Sequence, residues 1–125
     1  GVIILEVVND FGLTYDQMLI VEKYERVMNY LYPIFQSIPN KHNVLRTIVI
    51  DHLHKFPGLI YSAAKSTQQS KLYQADTSLS ELRMFLRRIV FIKHMSLHQQ
   101  DTAMVLIGIV GKLLGSWIKR TQQKG

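Results

Sequence analysis

The sequence has no cysteine, three prolines, one tryptophan and only nine acidic residues among 125. Without cysteine, a disulfide framework and a thiolate metal site are both excluded. The chain also lacks the short motifs of nucleotide and hydrolytic chemistry. It has no Gly-rich phosphate loop, no His-Glu-x-x-His and no Gly-x-Ser-x-Gly. The longest apolar stretch, Ala103–Ile118, is broken by Lys112 and falls short of the ~20 residues of a membrane span. Val2–Val8 is apolar but has neither a preceding basic segment nor a small-residue cleavage site, so no signal peptide is expected. These absences favour a soluble, cytoplasmic, non-catalytic protein without a cofactor.

What is present is apolar and basic. Hydrophobic residues make up 47% of the chain, enough for one core in one domain. The formal charge is +6, and it is unevenly placed. Residues 1–40 carry two basic against five acidic side chains, a balance of −3, and residues 41–125 carry thirteen against four, a balance of +9. Such an excess attracts polyanions, of which nucleic acid is the commonest, although a solvated surface accounts for it equally well.

The hydrophobic spacing divides the chain into an arm (1–14), a helical region (15–121) and a frayed tail (122–125). In the arm, Val2, Ile3, Ile4, Leu5, Val7 and Val8 favour a strand. One strand makes no sheet, so this segment adds to a neighbour, stays disordered or is foreign to the domain. The first helix starts near Thr14 or Tyr15, with Ile20, Tyr24, Val27, Leu31, Ile34 and Ile38 along one stripe. Glu22, Glu25, Arg26 and Asn29 lie opposite, and Pro33 kinks or ends the helix. The second helix covers about 41–65 with Leu45, Ile48, His52, Phe56, Leu59 and Ala63 inward, and Pro57-Gly58 is expected to kink it.

After a polar turn at 66–70, the third helix runs from about 72 to 94 and points Leu79, Leu82, Leu86, Ile89 and Val90 inward. The fourth opens at Ser96 with Gln99 three residues on, a capping-box pattern. It turns Ala103, Leu106, Val110, Leu113 and Trp117 inward, with Ile107, Leu114 and Ile118 beside them. Four amphipathic helices with short connections predict an all-α, antiparallel up-and-down four-helix bundle.

Several constellations stand out. Arg83 and Arg87 share a helix face with Asp76 and Ser80, on the shoulder of the core stripe. They suit phosphate or carboxylate contacts, or ion pairing inside the bundle with Glu22 or Glu25. Gly108, Gly111 and Gly115 make a flat edge on the fourth helix, for close packing within the bundle or for self-association. The five histidines form no convincing metal set, and His52 reads as a hydrogen-bonded core residue. Tyr30, Tyr32, Tyr61 and Tyr73 are either outward stacking platforms or plain amphipathic residues.

Longer strings carry a family likeness. The run Tyr15-Asp16-Gln17-Met18-Leu19-Ile20-Val21-Glu22-Lys23-Tyr24-Glu25-Arg26-Val27, followed by Tyr30-Leu31-Tyr32-Pro33-Ile34 and Gln36-Ser37-Ile38-Pro39, resembles the start of accessory variability determinant proteins. These belong to diversity-generating retroelements. Ala64-Lys65-Ser66, Ser70-Lys71-Leu72-Tyr73, Ala75-Asp76, Leu82-Arg83, Leu86-Arg87 and Leu114-Gly115-Ser116-Trp117-Ile118 continue the likeness in one register. Residues 1–13 and the stretch from Asp51 to Gly58 depart from it. The resemblance implies a four-helix bundle assembling as a homopentameric, barrel-like ring. It also implies binding to the element's reverse transcriptase and to RNA or DNA, in support of mutagenic reverse transcription and retrohoming.

Charge and likeness together nominate Arg83 and Arg87 first as nucleic-acid or partner contacts, then Lys65, Lys71, Arg88, Lys93, Lys119 and Arg120. A protein-only adaptor without direct nucleic-acid binding is the alternative reading.

Overall fold

A computed structural model describes residues 10–124, and every regular element in it is helical. The helices are α1 (Tyr15–Gln36), α2 (Asn43–Leu53), α3 (Phe56–Ala64), α4 (Gln69–Phe91) and α5 (Leu97–Lys124), with a short 3₁₀ turn at Asn40–His42. α2 and α3 together take the place of one rod. α1 packs on α5 and on α2/α3, and α4 packs on the same two neighbours, so α1 and α4 are diagonal. This is the four-helix bundle the spacing predicts, and no strand occurs among the described residues. The strand-favouring segment 2–8 lies outside them.

Each helix begins and ends for a local reason. At the start of α1, the Thr14 hydroxyl accepts from Gln17 N at 3.2 Å, while the Gln17 carboxamide accepts from Thr14 N at 2.9 Å. This reciprocal pair satisfies two amides that a helix start otherwise leaves open. Leu13, just before it, is fully buried, so the end of the nominal arm belongs to the core. Pro33 does not stop α1 at once. The helix continues to Gln36, and Ser37 then closes it by donating from its backbone N and its hydroxyl to Ile34 O. Arg46 staples the following turn, donating to Ile38 O at 2.8 Å and to the Asn40 side chain at 3.0 Å.

The expected kink in the second rod is a full break, and it lies at His54–Lys55, before Pro57. Proline is tolerated in a first helical turn, where its missing N–H would have no partner anyway, so Pro57 starts α3 instead of bending α2. The break orphans the last carbonyls of α2, and each finds a donor. His54 Nδ1 donates to Ile50 O at 2.7 Å, backbone N–H groups of His54 and Lys55 reach Asp51 O and His52 O, and the Tyr24 hydroxyl donates to Leu53 O at 2.6 Å. Tyr24 is buried and stacks on Phe56, with ring centroids 4.5 Å apart. Burial raises its phenol pKa well above the usual value, because the phenolate would have to form out of water.

The break also shifts which residues face inward. Ile48 is 47% exposed, against the expectation of a core position, and Val49 and Leu53 are buried in its place. His52 is buried as expected. Its Nε2–H donates to Ser78 O at 2.9 Å and its ring edge meets Phe85, which ties α2 to α4. A carbonyl only accepts, so the proton sits on Nε2.

α4 ends in a Schellman arrangement. Lys93 N donates to Val90 O and His94 N to Ile89 O, with Lys93 at φ 67° in the left-handed position usually held by glycine. α5 opens with the capping box expected from the sequence: Ser96 and Gln99 exchange backbone-to-side-chain bonds, both 3.0 Å. Its buried stripe is Ala103, Ile107, Val110 and Leu114, one helical step round from the expected one, while Leu106, Leu113 and Trp117 are half-buried. α5 runs to Lys124, so residues 122–124, where fraying was expected, are helical, and Gln122 donates to the Tyr73 hydroxyl at 2.8 Å. Leu97–Gln123 is also long and apolar enough to cross a membrane by length and composition, beyond what the shorter Ala103–Ile118 run suggests. Here the helix contributes a full side of the core.

Candidate nucleic-acid interface

The eight nominated cations do not converge on one spot. They run along α4 and gather at the two ends of the bundle. Lys65 caps α3, Lys71 lies in the first turn of α4, and Lys119 and Arg120 lie near the end of α5. These four share the end where α3 meets α4 and α5 finishes. Arg83 and Arg87 occupy the middle and later part of α4, about 6 Å apart along the axis. Arg88 and Lys93 follow toward the opposite end. From Lys71 to Arg88 the rise is about 25 Å, and at 100° per residue Arg83 and Arg87 share a face with Asp76 while Lys71 and Arg88 fall on other sides of α4, so the cations line no pocket.

Most of these cations are unpaired among the described residues. Ion pairs among the described residues are Lys55–Asp51 at 3.2 Å and Arg120–Asp16 at 3.9 Å, both exposed. Exposed pairs of this kind contribute about 0–1 kcal/mol. Arg83, Arg87, Arg88 and Lys93 have no acidic partner among the described residues, and Glu22 and Glu25 stand on α1 without reaching them. The ion pairing of Arg83 or Arg87 with those glutamates is therefore not formed. From Leu82 to Gln100 the sequence holds no acidic residue at all. Arg88 instead lies over the exposed Phe91 ring, 5.3 Å from its centroid.

The arginine stripe and the glycine edge, separate features of the sequence, meet across α4 and α5. Arg83 is half-buried, and its Nη2 lies 3.2 Å from the place a Cβ on Gly111 would occupy. Gly111 thus gives the guanidinium room to lie on α5. Gly108 and Gly115 differ: a Cβ on either meets nothing within 4 Å. Close packing inside the bundle accounts for Gly111 alone. Val105 and Ile109, on the same outward side of α5, are 65% and 38% exposed. Of the four tyrosines, Tyr32 and Tyr73 are exposed, while Tyr30 and Tyr61 pack against the core.

Sequence reasoning missed two recesses. One, of about 500 Å³, lies between the second rod and α4 and is lined by His52, Lys55, Tyr73 and Glu81 among others. The other, of about 420 Å³, lies at the end of the bundle between Gln17, Gln69, Trp117 and Thr121. Its loop, Ser66–Gln68, was legible only as a polar turn. No cluster of three or more metal-ligating side chains occurs among the described residues.

Fold and surface together define a four-helix bundle with unpaired arginines on α4. The chain belongs to the bAvd-like family, whose model matches residues 18–121, and is thereby an accessory variability determinant protein of the diversity-generating retroelement type. That family is accessory and non-catalytic. The match spans the 51–58 stretch as well. No curated protein matches the sequence.

Proposed function

We propose that this protein is the accessory subunit of a diversity-generating retroelement, binding the element's reverse transcriptase and nucleic acid to support mutagenic reverse transcription and retrohoming. The observation that carries the reading is the run of cations on α4 and just after it, from Arg83 to Lys93, with no acidic partner among the described residues. Such a run holds a phosphate backbone without reading its sequence, and releases it as salt rises. The protein's part is scaffolding: it keeps polymerase and template together, and the chemistry belongs to the polymerase. Assembly into a ring, five copies by the family's pattern, repeats each weak contact and raises the total affinity through multivalency. The open glycine edge and the exposed Val105 and Ile109 on α5 support self-association. The setting proposed is the cytoplasm.

The test is binding to labelled RNA and DNA at two salt concentrations. Arg87→Ala and Arg88→Ala are cleaner probes than Arg83→Ala, because Arg83 also packs on Gly111. Binding that ignores salt, or no binding, removes the nucleic-acid half of the proposal.

A protein-only adaptor is the second reading. Met84 and Phe91 are 68% and 74% exposed on the same helix as the arginines, a mixture of apolar and Arg side chains common at protein interfaces. Capture of the reverse transcriptase before and after nuclease treatment separates the two.

A further inference from the structure

We propose that the recess at the end of the bundle is a nucleobase site, receiving an unpaired base of the strand whose phosphates the neighbouring cations hold. This rests on the nucleic-acid reading above and specifies where a base, as opposed to a backbone, is bound.

All four rods contribute to the recess: Gln17 from α1, the end of α3 with its Ser66–Gln68 loop, Gln69 from α4, and Trp117 and Thr121 from α5. Its volume of about 420 Å³ falls within the roughly 300–1,000 Å³ of small-molecule sites. None of its lining residues is charged. Trp117 is half-buried, one part packed on the core and the rest lining the recess. A neutral wall of carboxamides and hydroxyls around an indole matches a planar, uncharged ligand with donors and acceptors on its edge, which is what an unstacked base presents.

The hydrogen bonds already made leave both kinds of group free. Gln17 Oε1 accepts from Thr14 N, so its Nε2 remains as a donor. Gln69 Nε2 donates to the Thr121 hydroxyl at 3.2 Å, so its Oε1 remains as an acceptor. The Thr121 hydroxyl itself donates to Ile118 O, which fixes the direction of that chain.

Cations flank the lining residues along the chain. Lys65 lies between the lining residues Ala64 and Ser66, Lys71 between Gln69 and Leu72, and Arg120 directly before Thr121. Lys65 and Lys71 have no acidic partner among the described residues, and Arg120 has only the 3.9 Å contact to Asp16. A strand crossing this end of the bundle would meet these cations and the neutral aromatic recess.

Trp117 is the only tryptophan, so its fluorescence reports on this site alone. The full chain is titrated with a labelled oligonucleotide of about ten nucleotides, with an abasic strand of equal length, and with adenosine monophosphate. Strand binding is read by anisotropy and base entry by Trp117 fluorescence. The base-bearing strand should quench Trp117, whereas the abasic strand should bind at least about fivefold more weakly and leave the emission unchanged. Thr67→Phe, which fills the mouth from an exposed position, should abolish the quench and keep the salt-dependent binding of the abasic strand.

Oligonucleotide binding without a Trp117 response, or equal quenching by the abasic strand, overturns the base site and leaves the proposed function standing. Quenching by adenosine monophosphate but not by the strand overturns the assignment to a strand. No anisotropy change with either strand removes the nucleic-acid reading and the base site with it.

Discussion

Replacing Tyr24 with phenylalanine isolates what holds the interrupted second rod together. The hydroxyl lies in the core and donates to Leu53 O at 2.6 Å, at the point where α2 ends and that carbonyl has lost its helical partner. Tyr24→Phe keeps the ring and its stack on Phe56 but leaves a buried acceptor unsatisfied. That costs about 1–3 kcal/mol, a sizeable part of the roughly 5–15 kcal/mol of a whole domain. With about 4 °C of Tm per kcal/mol for a chain of this size, the melting temperature should fall by about 4–12 °C.

A second arm tests burial. The folded phenol has a pKa above the ordinary 10.0, so the stability it supplies is complete below pH 10. It is lost as the pH rises toward the folded value, because only the unfolded chain sheds the proton. The loss is up to about 1.4 kcal/mol per pH unit. The phenylalanine of the variant cannot titrate, so the gap between the two proteins should narrow above pH 10, the other five tyrosines being common to both. Circular dichroism melts at neutral pH and near pH 11 give both numbers, the alkaline arm lying about one unit above the ordinary phenol value. A variant within about 0.5 kcal/mol of the parent at neutral pH, or a gap that does not narrow in alkali, would refute the argument that Tyr24 closes the break.

Gly108→Ala and Gly115→Ala should each stabilise the isolated bundle by about 1 kcal/mol, since a Cβ there meets nothing and alanine is the better helix former. If copies pack on this edge, light scattering will show the oligomer weakening as the bundle's melting temperature rises. An unchanged oligomer takes the glycines out of the assembly. Arg87→Ala should leave thermal stability unchanged and reduce the slope of log affinity against log salt by about one, which a salt titration by anisotropy measures. Lys93→Gly should raise stability by about 0.5–1 kcal/mol by relieving the φ 67° conformation, while lowering affinity for nucleic acid. Stability and binding measured on the same preparation should therefore move in opposite directions.

The rods were legible wherever one periodicity ran without interruption. The Leu79–Ile89 stripe of α4 and the Ser96–Gln99 cap of α5 follow directly from spacing, because propensity, capping and burial all point the same way there. The second rod misled because Pro57 starts a helix as readily as it bends one, and the choice rests on Tyr24 and His54 reaching the freed carbonyls with their side chains. No local pattern encodes those donors. α5 misled more mildly: apolar on most of its circumference, it offers several near-equal stripes, and packing against α1 and α4 selects among them. The candidate site was legible as a set of residue types but not as a place. Arg83 and Gly111 meet only because α4 and α5 run antiparallel in one particular register, and the Trp117 recess exists only where all four rods end together.

The charge layout limits how copies of this protein can associate. Glu22 and Glu25 face outward from α1, and Arg87 and Arg88 from α4, on opposite sides of the bundle because the two helices are diagonal. A two-fold contact uses the same patch on both copies. Through α4 it would set the arginines against themselves, whereas on α1 the exposed Arg26 stands beside Glu22 and Glu25 and can pair with them across the axis. A head-to-tail contact avoids that repulsion, and such contacts close into a ring when their rotation permits. α5 offers the matching surface: Val105, Ile109 and the open glycines, with exposed Lys112 and Lys119 beside them. A contact of α1 with this side of α5 on another copy would set Glu22 and Glu25 against Lys112 and Lys119, which have no ion pair among the described residues. Arg87 and Arg88 on α4 would lie outside such a joint, whereas Arg83, packed beside Gly111, would lie at its edge.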